Sequence, residues 1–431
     1  MLIAVSAFAI LSIVFGAAPA VAFGSDPPYP AAFRSEFEAQ FPTCETNEQA
    51  LELERLSAPL GIDLVPKPFA EDPAALPDAA PTVDDGRTHP TLEASELFQS
   101  LAVGAFVRHE LGVTDEGIGR PSAQLENFLS DHDGEIATIQ SVIRKGSGPQ
   151  WGVNVSQGSH GPTLSFLGII QLQRLLLARA LVAARVGNID EALENVESSW
   201  RLNDALAVRP ELICQIILLA SARLQAGTLR KIDSPAYGWA DRLRDRRLYL
   251  GFLAALQNEV WFWPGLVDLT GDDGSYGRVL RRVADEIDLD PCIWSPETLK
   301  KTWAEAVQAE TRPEGEESWM ADIMPNLANM VMRWRRYIID AELTALVLDA
   351  RAQRAASRRN GWPAKLLSVG FGPCPRARWV YLPLSNGTAR IAFESSLLDE
   401  NESMGPLLPL EFIAGIPSGP GWFIFFVVPS F

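Results

Sequence analysis

Histidine and cysteine are scarce in this chain, four of each among 431 residues, and that shortage narrows the chemistry at once. His89, His109, His132 and His160 form no HExxH pattern, which excludes the common helical zinc site. The most metal-like local cluster is Asp131-His132-Asp133. Adjacent residues on a helix point in different directions, so these three read as a solvated helix edge rather than ligands of one ion. His160 follows Gly158-Ser159 in a glycine-rich loop and has no partner that spacing can name. Cys44, Cys214, Cys292 and Cys374 are far apart and make no CxxC pair, so metal-ligand spacing is missing. Cys214 lies in an apolar helix and reads as a buried free thiol. Cys292 and Cys374 sit in proline-flanked loops; in an oxidising compartment they are the first candidates for a bridge, with two unpaired thiols as the alternative.

Basic charge is also short. Lys and Arg number 37 against 54 Asp and Glu, a net charge of −17 that repels phosphate backbones and excludes nucleic acid as a partner class. The one dense basic run, Arg242 to Arg247, is flanked and interrupted by Asp241 and Asp245 and reads as a solvated helix face. Nucleotide-binding signatures, GxxxxGK[ST] or GxGxxG, do not occur, and Gly158-Ser159-His160-Gly161 does not fit the GxSxG elbow of the serine hydrolases. For calcium, Asp268 to Gly277, which includes the turn cluster Leu269 to Gly277, contains Asp272-Asp273-Gly274 but lacks calcium-loop spacing and the terminal Glu. Sequence therefore assigns no catalytic residue, no metal ligand and no cofactor. Hydrophobic content of 47% with 21% charged residues is that of a folded chain long enough for more than one core.

What the chain does have is helix pattern, strongest from Leu164 to Ile232. Leu164, Leu167, Ile170, Leu175, Leu177 and Leu181 belong to a nearly continuous apolar run that predicts a helix buried on most sides over Leu164–Val186. Gln171, Gln173, Arg174, Arg179 and Arg185 interrupt it, which argues against a membrane span. Gly187-Asn188 ends it. A second helix begins with Asp190 and Glu191, anions suited to a helix N-terminus. Ala192, Val196, Ser199, Trp200, Asn203 and Leu206 share one of its faces, and Arg209-Pro210 closes it. A third helix carries Ile213, Ile216, Ile217, Ala220 and Leu224, with a stop at Gly227.

Ala180, Gly187, Asn188, Ala192 and the aromatic Trp200 resemble a tetratricopeptide-type helical hairpin over roughly one 34-residue repeat. The small residues let two helices approach, and the position of that family's proline holds Asp204. One copy implies a hairpin geometry, not a peptide-binding array.

At the start of the chain, Met1 to Gly16 is almost purely apolar and Ala20-Val21-Ala22 offers a small-x-small cleavage site. This resembles a secretory signal peptide with a mature chain from Phe23. No Lys or Arg precedes the apolar run, so an uncleaved membrane anchor is the second expectation. Residues 23–90 are proline-rich and read as an extended arm with short helices near Ala32–Gln40 and Glu45–Ser57.

Residues 91–361 read as an α-helical domain. Its helices are expected over Thr91–Leu111, Pro121–Lys145, the three central stretches and Ser234–Trp263. A long helix follows over Asn326–Arg359, whose Leu327, Val331, Trp334, Ile338, Ala341 and Ala345 mark a heptad-type seam. Residues 362–431 read as a small β-element. Asn386-Gly387 lies between Trp379–Leu382 and Ala389–Phe393, a hairpin signal, and Phe423–Val428 is a candidate third strand. The order of long helix, Asn360-Gly361-Trp362-Pro363-Ala364-Lys365-Leu366-Leu367, loop and hairpin resembles the C-terminal organisation of pilins and pseudopilins. The whole chain resembles exported, helix-rich bacterial proteins.

The expected fold is therefore mainly α, stacked helical hairpins in a TPR-like right-handed array or an irregular bundle, with a long late helix and a C-terminal β-hairpin. The expected role is an exported, non-enzymatic scaffold or protein-interaction module of the bacterial cell envelope, with a protein partner there. The alternative is a cell-wall polymer hydrolase that works through helix-borne carboxylates, for which Glu110, Glu194, Glu197 and Glu259 are the candidates.

Overall fold

The structure is a computed structural model that describes residues 38–39, 41–65, 102–154, 164–245, 247–258, 279, 281–285, 301–302, 304–305, 308, 317–357, 361–366, 377–384, 387–395 and 411–414. In chain order the helices are α1 (Glu48–Ser57), α2 (Ala102–Gly112), α3 (Ala123–Asp131), α4 (Asp133–Arg144), α5 (Phe166–Arg185), α6 (Ile189–Ala207), α7 (Leu212–Lys231), α8 (Trp239–Arg244), α9 (Arg247–Asn258) and α10 (Glu317–Ala356). The strands are β1 (Ala377–Pro383), β2 (Ala389–Ser395) and β3 (Glu411–Ala414). The protein is mainly α with one small antiparallel sheet. The leader-like segment 1–22, His89, His160, Glu259, the Asp272 turn, Cys292, Cys374 and the run Phe423–Val428 lie outside the described residues.

The central helices begin and end as their sequence demands. Ser165 caps α5 by accepting from the Gly168 N–H, and Asn188 caps α6 by accepting from the Glu191 N–H. Between them Gly187 takes φ 81°, the left-handed geometry that closes a helix. The register of the hairpin is fixed by polar pairs. Arg179 of α5 meets Glu191 of α6 near the turn at 2.9 Å. Farther from it, Gln173 donates to Asn203 at 2.7 Å. Leu172, Leu176 and Leu181 are fully buried, each worth about 1.5–3 kcal/mol of apolar transfer.

α7 is the axis of the helical body. It packs against α2, α5, α6, α9 and α10, and residues on every side of it are buried, the polar Gln215, Ser221, Gln225 and Thr228 included. α5 and α7 are both long and apolar enough to cross a membrane, and both are largely covered by neighbouring helices. Gln173, which interrupts the apolar run, is not a solvated break: it is fully buried and belongs to an amide and hydroxyl network across three helices. Asn203 donates to Gln225, Gln225 donates to Ser199 at 2.7 Å, and Ser221 donates to Gln173. Buried amides persist when their partners are supplied in this way.

Several expected boundaries move, each for a local reason. α7 does not stop at Gly227 but continues to Lys231. A Cβ at Gly227 would stand 3.1 Å from Leu111 of α2, so this glycine permits close approach of two helices. Pro121–Lys145 is two helices, broken at His132, because Asp133 starts a new turn where a helix favours anions. Ser234–Trp263 yields the short α8 and α9. α10 begins at Glu317 and runs through Pro325; proline holds a helix-compatible φ, and a helix of 40 residues absorbs one lost bond. Of the expected arm, residues 41–65 are packed: α1 lies on α4, Cys44 bridges to Val153, and Leu60, Ile62 and Leu64 are buried.

The long helix has two buried faces rather than one seam. Trp334, Tyr337, Ala341 and Leu348 join the core of the helical body. Ile339, Leu343, Leu346, Val347 and Ala350 form a second core with Trp379, Ile391 and Phe393 of the sheet. A helix covered on two sides cannot be read as a single stripe. The hairpin pairs Trp379 with Phe393 and Tyr381 with Ile391, and Gly387 takes φ 81° in its turn. The third strand is β3, which pairs with β2. Trp362 donates to the Gly387 carbonyl at 3.0 Å, and Tyr381 donates to the Pro363 carbonyl at 2.8 Å.

Candidate functional site

The candidate carboxylates among the described residues, Glu110, Glu194 and Glu197, have different partners. Glu110 is buried on α2, and one of its oxygens accepts from the Gly119 N–H at 2.8 Å. Glu194 pairs with Arg144 of α4 at 3.2 Å. Glu197 pairs with Arg201 at 3.4 Å and with Arg242 of α8. Glu110 therefore faces its own loop, while Glu194 and Glu197 face α4 and α8. In the run Arg242 to Arg247, Arg242 and Arg244 are exposed, as expected of a solvated face, and their ion pairs lie at that surface. Arg242 also lies over the Trp239 ring at 4.9 Å, and Arg244 reaches Glu342 at 3.2 Å and Asp349 at 3.0 Å on α10. These arginines join helices.

His132 packs its ring against Phe128 at 4.7 Å, and Asp133 pairs with Arg179 at 2.7 Å. His109 is exposed in the last turn of α2. Among the described residues no group of three His, Cys, Asp or Glu side chains converges as metal ligands. Cys44 and Cys214 are free, and burial pushes the Cys214 thiol well above its usual range.

A polar cluster of described residues lies where the loop after α2, the C-terminal end of α7 and α10 meet. Arg351 of α10 is 1% exposed. It donates to Glu116 at 3.0 Å, to the Leu229 carbonyl at 3.1 Å and to the Arg230 carbonyl at 2.6 Å. It thus caps the negative end of α7 with a cation. Arg230 pairs with Asp340 at 2.9 Å and donates to Thr344 Oγ1 at 2.6 Å. Lys231 donates to the Gly117 carbonyl at 3.0 Å. Burial brings its pKa down to about 8, against the pull of Asp115, Glu110 and Glu116 in the other direction. Glu116 and Arg351 are 235 residues apart in sequence, so periodicity had no means of pairing them. The one local signal is a pair of cations, Arg230-Lys231, at the end of a helix apolar on all sides. The cluster is closed: its ionic groups hold helix ends and each other, which is the chemistry of a joint.

A second cationic feature differs in kind. Arg108 of α2 and Arg174 of α5 both bring a guanidinium to Gly104, their Nη1 atoms standing 3.3 and 3.4 Å from the place a Cβ would take there. Neither makes an ion pair or hydrogen bond with a described residue, and Arg174 Nε is buried without an acceptor. Burial and then the charge of Arg108 lower the pKa of Arg174. Arg174 appeared in the sequence only as a polar interruption of an apolar helix.

In comparisons with protein families, characterised proteins and solved structures, the chain matches none.

Proposed function

We propose that the chain is an exported, non-enzymatic scaffold or protein-interaction module of the bacterial cell envelope, with α5 and α6 as one tetratricopeptide-like hairpin at its centre. The observation that supports this reading is how the polar side chains are used. Ion pairs and polar hydrogen bonds join α4 to α5 and α6, α5 to α6 and α7, α6 to α7 and α8, and α7 and α8 to α10. Groups committed to holding one arrangement rigid suit a scaffold, whereas a glycosidase needs two carboxylates facing one another across a substrate. The leader-like residues 1–22 carry the envelope part of the proposal.

The test uses the full chain expressed in a bacterial host. The expected result is recovery in the periplasmic or membrane fraction, discrete protein adducts from a photo-crosslinker placed at the exposed Val186 or Leu167, and no soluble fragments from purified cell-wall sacculi. Recovery in the cytoplasm overturns the localisation. Release of wall fragments that is lost in Glu197→Gln or Glu194→Gln overturns the scaffold in favour of the hydrolase.

A further inference from the structure

The two arginines at Gly104 are anomalous for this chain. Acidic residues outnumber basic ones by 54 to 37, and Arg179, Arg209, Arg230 and Arg351, all with little exposed side chain, each hold a carboxylate. Carboxylates are plentiful, yet none among the described residues is set against Arg108 or Arg174. Two guanidinium groups gathered at one point repel each other, and removing one of them from water raises that penalty. The glycine beneath them adds a third observation. It is itself buried, and its missing Cβ would stand 3.3 and 3.4 Å from the two Nη1 atoms, so both guanidinium groups reach the bare backbone there.

We propose that Arg108 and Arg174, brought together at Gly104, form a binding site for a phosphate dianion, free or carried as a monoester. The charge argument selects the ligand class. One carboxylate compensates one cation, whereas a phosphate dianion compensates both and offers enough oxygens for each planar fork to bind. Arg174 comes from α5 and Arg108 from α2, so an occupied site ties the second helix to the central hairpin. The site does not depend on the scaffold reading.

The experiment is isothermal titration calorimetry of the full chain with inorganic phosphate and with glycerol phosphate at pH 8, in chloride of matched ionic strength, with acetate as the monoanionic control. Binding of either phosphate species, with acetate inert, is the expected result; the tighter of the two identifies the natural form. Arg108→Glu supplies an in-chain carboxylate to Arg174 on an exposed helix position. It should weaken phosphate binding about tenfold or more while the helical circular dichroism is kept, since a charge-assisted hydrogen bond carries at least that factor. Gly104→Ala sets a methyl group 3.3 and 3.4 Å from the two Nη1 atoms and should weaken binding similarly. Wild-type protein that binds neither phosphate species, or binds acetate as well as phosphate, refutes the site, as does wild-type affinity in both variants.

Discussion

Arg351 is the residue on which the joint between α7, α10 and the loop after α2 turns, and its removal is the sharpest test of the fold. In Arg351→Ala, Glu116, itself 6% exposed, loses the guanidinium that faces it, and the last carbonyls of α7 at Leu229 and Arg230 lose their donor. Breaking one side of a buried ion pair costs about 3–5 kcal/mol, because the remaining charge stays out of water. That is a large share of the 5–15 kcal/mol on the order of which a domain is stable. Asp233 lies 3.8 Å from Arg351 but is 58% exposed and already pairs with Arg354, so it adds little. Urea unfolding followed by tryptophan fluorescence measures the loss, with an unchanged m-value as the check that the unfolded state is not what moved. A double-mutant cycle with Glu116→Gln isolates the pair, and contacting charged residues should couple by about 0.5–3 kcal/mol. A loss under about 1 kcal/mol for Arg351→Ala, or strict additivity in the cycle, refutes the account of the joint.

Two further outcomes follow from the same packing. Helix propensity alone makes Gly168→Ala stabilising by about 0.5–1 kcal/mol. In the structure its Cβ would lie 1.9 Å from the Asp63 carbonyl oxygen, a main-chain atom between the buried Ile62 and Leu64. Thermal melting should therefore show destabilisation of about 1–3 kcal/mol, and a raised melting temperature refutes the contact. Lys231 carries a pH dependence of definite sign. Its folded pKa of about 8 lies below the ordinary 10.5, so between those values the unfolded chain binds more protons and stability rises with pH. Lys231→Met should be more stabilising at pH 7 than at pH 10, and a difference that grows with pH contradicts the burial cost assigned to this amine.

The sequence by itself determined the helical character of the body, the cap and turn at Gly187-Asn188 and the hairpin around Gly387. Each of these depends on residues within a turn or two of one another: a capping oxygen, a positive φ, an alternation of apolar side chains. It also excluded a zinc helix and the nucleotide loops, because those sites need fixed local spacing. Only the tertiary structure decided what the polar residues inside apolar helices are for. Gln173 is an interruption in one dimension and the middle of a network in three. Gly227 looks like a stop until Leu111 is placed against it. α10 reads as one seam because a linear pattern cannot show that the helical core covers one side and the sheet another. The pairing of Glu116 with Arg351, and the meeting of Arg108 with Arg174, join residues that share no local period. Their energies come from burial and from distance, which only the folded chain sets.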